Sequence, residues 1–157
     1  ATGTAAAAAG GVTTVLDMPL NNVPATTKPK ALEKKRASAA GQCHVDVGFL
    51  AGLVPGNMGE LAELWDDGVF GFKCFLVPSG VKEFRHITPS GLRAAMPALA
   101  ELHAPVLVHA ELPESIDAAT KELRGRDASA YSTYLASRPP TAEVQAVQLV
   151  VDLARRF

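Results

Sequence analysis

Two residues carry reactive groups inside apolar runs. GVFGFKCFLVP, from Gly68 to Pro78, holds Lys73 among phenylalanine, leucine and valine. PVLVHAE, from Pro105 to Glu111, ends on His109 and Glu111. Lysine is almost never fully buried without a partner. An unpaired ammonium in an apolar setting tends to give up its proton. A neutral, desolvated amine is a nucleophile. The plainer alternative is a strand-end lysine whose tip reaches water. His109 is either a hydrogen-bonded core histidine or a metal ligand. Alternation along a strand puts Gly71, Lys73 and Phe75 on one face, and Phe72, Cys74 and Leu76 on the other. The same count groups Leu107 with His109 and Glu111. Lys73 and His109 therefore sit at the C-terminal ends of their strands, where barrels and open α/β sheets build their sites. Gly71 beside Lys73 is expected to make room in a crowded interior.

Weaker candidates surround this pair. Asp17 closes the first strand as LDMPLN, with Asn21 and Asn22 on the same rim. Ser79 and His86 lie in the loop after the Lys73 strand. His44 opens its strand, the wrong end for a site. His103 closes a helix and suits its dipole. Cys74 points away from Lys73 and reads as core.

The elements that must hold these residues alternate along the chain. Residues 2–9 are alanine-rich and read as a short helix ending at Gly10 and Gly11. Strands are expected over 12–18, 44–53, 69–77 and 105–111, from β-branched and apolar runs. Between them fall a helix capped by Thr27 with Pro29 in its first turn, one from Asn57 to Gly68, and one capped by Thr88 that Pro97 should kink or interrupt. A helix over 113–126, a partly helical connector and a last amphipathic helix over 141–157 follow. The order is α/β, with four parallel strands and crossover helices. Strand ends recur about every 31 residues, so eight units would need about 250 residues, the size of a (β/α)8 barrel. The chain has 157 residues. It starts without methionine and stops inside a helical pattern, so residues 1–157 are expected to be about half of such a barrel, cut from a longer chain. A small open α/β domain is the alternative. No GxGxxG follows the first strand and no GxxxxGK[ST] occurs, so nucleotide-binding sheets gain no support.

Composition narrows the partners. Net charge is −1, which leaves no electrostatic footprint for nucleic acid or an anionic membrane. No apolar run is long enough to span a bilayer. Two cysteines, Cys43 and Cys74, make no disulfide framework and point to a reducing, cytoplasmic setting.

GGVTTVLDMPLN, GFKCFLVPSG and PVLVHAE together resemble the cyclic amidohydrolases, and MPLN leans toward the allantoinases among them. YLASRPPTAEVQAV resembles the allantoinase segment after the histidine strand, so the likeness covers essentially the whole chain. No tyrosine follows shortly after Lys73, unlike the usual hydantoinase pattern. The resemblance implies that Lys73 takes up carbon dioxide to form a carbamate that bridges two divalent metals. Zinc is expected, with cobalt, manganese or iron as alternatives. His109 is implied as a ligand to one metal. Water activated between the metals would attack a ring amide carbonyl, opening allantoin to allantoate. Dihydroorotase and hydantoinase activities share that chemistry. Asn21 and Ser79 are the expected substrate contacts. The HxH pair, a further histidine and the aspartate that complete the family site are absent from this sequence, so the segment alone is expected to bind metal poorly and not to turn over substrate. The resemblance further implies a homo-oligomer, often a tetramer. Two readings of other classes stay open: a metal-free enzyme using Lys73 as a Schiff-base amine, and a non-catalytic relative.

Overall fold

Short β-branched runs and proline-started helices alternate through the computed structural model, which describes residues 2–157. Ala1, the first residue of the expected domain, lies outside the described residues. The strands are β1 (Thr14–Asp17), β2 (Asp46–Phe49), β3 (Ala51–Gly52), β4 (Phe72–Phe75) and β5 (Val106–His109). The helices are α1 (Thr2–Ala9), α2 (Pro29–Ala39), α3 (Leu61–Asp66, preceded by a 3-10 turn over Met58–Glu60), α4 (Pro89–Glu101), α5 (Pro113–Glu122), α6 (Tyr131–Ala136) and α7 (Pro140–Arg156). All strand pairs are parallel: β1 with β2, β3 with β4, and β4 with β5. The class is therefore α/β with crossover helices, as expected.

The strand count differs from the expected four. The run over 44–53 forms two short strands on either side of Leu50, and they pair with different neighbours. Leu50 N donates to Asp17 O, while Ala51 N donates to Gly71 O, so the chain hands its hydrogen bonds from β1 to β4 at this point. The result is a two-stranded and a three-stranded sheet joined through Leu50 rather than four uniform strands or a closed barrel.

The core lies between the sheet and the helices. Phe72, Cys74 and Leu76 are fully buried with Leu32, Leu53, Leu64, Leu92 and Leu99. The opposite sheet face is open: Leu107 is 36% exposed. Alternation along β4 thus sends Cys74 into the helix layer and Lys73 to the open face.

One local expectation holds and others change. Thr88 caps α4, accepting from Gly91 N at 3.1 Å. Thr27 does not cap α2; Lys28 holds the N-cap position, without a side-chain cap. Pro97 neither ends nor splits α4, which runs on to Glu101. Gly71 is required by backbone rather than by Lys73. Its φ is +153°, and a Cβ there would lie 2.7 Å from Pro105 O. That carbonyl accepts from Phe72 N at 2.8 Å, so the glycine lets β4 close on the start of β5.

Candidate metal centre

β4 and β5 pair in register, with Lys73 opposite Leu107 and Phe75 opposite His109. Because side chains alternate, Lys73, Phe75 and His109 all emerge on the open face. The ring of Phe75 joins the other two. Lys73 Nζ lies 4.9 Å from its centroid. The His109 imidazole stacks on it at 4.8 Å and 15°. Phe75 in turn meets Phe84 edge-on at 5.8 Å.

Burial lowers the pKa of Lys73 from the ordinary lysine value. Cys74, the next residue, opposes this only weakly, because burial pushes its thiol up to about 12 and leaves it neutral. No carboxylate pairs with Lys73 among the described residues. The cation–π contact with Phe75 is worth about 0.5–1 kcal/mol when partly exposed. Desolvation is the larger of the causes, so the net shift of the Lys73 amine is downward.

His109 Nε2 lies 2.9 Å from Glu111 Oε2. The histidine side chain is 45% exposed. Glu111 falls on the face expected from its spacing, but its bond to His109 was not foreseen; the HxE spacing at a strand end is the signal that could have found it.

The rim after β1 is built differently from expectation. Asp17 is paired to Lys35 of α2 at 2.6 Å. The same ammonium donates to Met18 O and Asn22 Oδ1, and only 10% of that lysine side chain is exposed. Lys35 thus ties the end of β1 to the helix layer. Asn22 Nδ2 donates to Pro24 O at 2.6 Å. Asn21 is exposed, with φ +63°, and its side chain makes no hydrogen bond among the described residues. Ser79 Oγ donates to Phe84 O at 2.6 Å and accepts from Val81 N at 3.2 Å, bracing the loop after β4. His86 lines a separate cleft with Val54, Met58 and Arg85. His44 is exposed and gives its backbone N–H to Thr4 Oγ1. His103 has φ +52°, just past the end of α4. Cys74 is core, whereas Cys43 is exposed; both are free thiols. A cavity of about 720 Å³ lined by Pro24, Lys28, Lys34 and Glu83 does not include Lys73 or His109.

The structure brings an amine and an imidazole together on one face of adjacent strands. No group of three or more His, Cys, Asp or Glu is arranged to hold an ion among the described residues. No helix is long and apolar enough to cross a membrane among those residues.

No family model matches the chain. The mitochondrial allantoinase of Aquarana catesbeiana is 45% identical over 156 residues, covering 99% of this chain and 31% of that protein. The allantoinase of Streptomyces avermitilis is also 45% identical over 156 residues, covering 34% of that protein. Among solved structures, the L-hydantoinase of Arthrobacter aurescens superposes with a TM-score of 0.91 at 30% identity, covering 98% of this chain and 34% of that one. A D-hydantoinase superposes with a TM-score of 0.80 at 29% identity. The chain spans about a third of the length of the relatives it matches. Along nearly all of its own length it is allantoinase-like sequence, 40–45% identical to the allantoinases it matches.

Proposed function

We propose that this chain is the Lys73–His109 segment of a metal-dependent cyclic amidohydrolase that opens allantoin to allantoate. The observation that carries the reading is the desolvated, unpaired Lys73 beside His109 on the open face of β4 and β5, in a sequence 45% identical to allantoinases. Hydantoin hydrolysis is the second reading, supported by the fold likeness to L-hydantoinase at the lower identity of 30%.

In this account Lys73 reacts as the neutral amine. Its nitrogen lone pair forms a bond to the carbon of carbon dioxide, one C=O π pair moves onto oxygen, and an amine proton leaves to water. The product is a carbamate anion with two oxygen donors. The same burial that lowers the pKa of the amine would disfavour the carbamate if it stayed unpaired, so cations are required to hold it. Lys73 and His109 would hold two divalent metals, zinc by donor type, together with residues outside this segment. When bound, the metals supply Lewis acidity and activate water. Phe75 keeps the imidazole plane fixed and excludes water from one side of the lysine. Asn21 and Ser79, on loops leaving the C-terminal ends of β1 and β4, are the proposed substrate contacts. The architecture in this account is about half of a (β/α)8 barrel. A reducing compartment, the cytoplasm by preference, fits two free thiols, and a homo-oligomer is proposed from the likeness alone.

The test is turnover of allantoin, hydantoin and dihydroorotate by an enzyme of the relatives' length that carries this segment. Allantoin is expected to have the highest kcat/KM. Lys73→Ala is expected to lower it at least about 100-fold, since losing a ligand exceeds the effect of losing a group behind one. A preference for hydantoin would replace the first reading by the second. Unchanged turnover in Lys73→Ala would remove both.

A further inference from the structure

His109 is constrained on two sides. Its ring face lies on Phe75, with 15° between the planes. Its Nε2 edge is tethered to Glu111 Oε2 at 2.9 Å. A carboxylate in its anionic form only accepts hydrogen bonds, so the 2.9 Å contact favours a proton on the nitrogen that faces it. In the neutral imidazole that places the lone pair at Nδ1. No hydrogen bond to Nδ1 is found among the described residues, and the side chain is 45% exposed. A ligating imidazole ordinarily donates its other N–H to a carboxylate or carbonyl, which fixes tautomer and direction.

We infer that Glu111 is the positioning residue of His109: it holds Nε2–H, selects the tautomer with the lone pair at Nδ1, and with Phe75 aims that lone pair before any metal arrives. The inference rests on the amidohydrolase reading for its purpose, but its first half concerns this chain alone. The spacing follows from the strand end. Residues 109 and 111 share a face because they are two apart, and Ala110 between them turns toward the helices, packed against the core cluster.

The experiment is nitrogen NMR of the histidine rings in this chain at about pH 8.5, where an ordinary imidazole is neutral. The proposal expects His109 to be almost wholly the Nε2–H tautomer. Glu111→Ala should give a mixture, and Glu111→Gln, which keeps the shape and one carbonyl acceptor, an intermediate ratio. A merely structural role for Glu111 would leave the ratio unmoved. An Nδ1–H tautomer in the wild type, or no change in Glu111→Ala, would overturn the proposal. Zinc ion is then titrated into the enzyme of the relatives' length. Glu111→Ala should weaken zinc affinity about 10–100-fold, and equal affinity would overturn the positioning role. If zinc binds neither protein while the tautomer shift is seen, the metal reading fails and the hold of Glu111 on His109 stands.

Discussion

Lys73 is a cost to the folded chain at neutral pH. Burial lowers its pKa, so the folded state disfavours the charged form that the unfolded chain carries freely. The sign follows from proton counts. Between the lowered value and the ordinary 10.5, the unfolded state binds more protons, and stability rises with pH. The penalty is complete below the lowered pKa and gone above 10.5. Lys73→Met is therefore expected to raise Tm at pH 7, by roughly 1–3 °C because the side chain keeps some solvent. The gain should shrink as pH approaches 10.5, whereas a gain from packing alone would stay constant. Thermal unfolding of both proteins across pH reads this directly. A natural residue that destabilises its own fold is what a reactive lysine looks like. Lys73 and His109 were legible in the sequence because polar groups inside apolar strands break a simple alternation. The pairing of Asp17 with Lys35 was not, since it joins a strand end to a helix face through tertiary packing alone.

The elements were legible wherever the local signal needed no partner. Thr88 before Pro89 predicts a capped helix, and the cap forms. Thr27 carries the same kind of signal, yet α2 starts one residue later, because Thr27 O instead accepts from Asn57 Nδ2 at 3.0 Å. Asn57 is buried and also donates to Gly52 O, so a long-range tie outweighs the local cap. The division of the second strand at Leu50 was invisible for a related reason. One apolar run serves two neighbours, and sequence periodicity records burial rather than hydrogen-bond partners. Thr88→Ala should cost about 1 kcal/mol of stability. Gly71→Ala should cost more than about 1 kcal/mol, since it sets a Cβ against a backbone carbonyl at a φ that L-residues rarely adopt. Chemical denaturation of the two variants checks the order; an equal or smaller cost at Gly71 would contradict the close approach of β4 and β5.

At the scale of the whole molecule, the helix-covered face is closed and the other is not. β1 and β5 each pair on one side only, and Leu16 and Leu107 on the strands are exposed. Edges of this kind are usually covered or charged. Among the described residues no group of three or more His, Cys, Asp or Glu is arranged to hold an ion, and the chain spans about a third of its relatives' length. The central claim, that Lys73 serves metals as a carbamate, is tested most directly by metal content. An enzyme of the relatives' length carrying this segment is purified without chelator, as wild type and as Lys73→Ala, and metal per chain is measured. The account expects about two divalent ions per chain in the wild type and clear loss in the variant. A folded wild type without metal would contradict it, and would send the question to borohydride trapping of a carbonyl compound at Lys73.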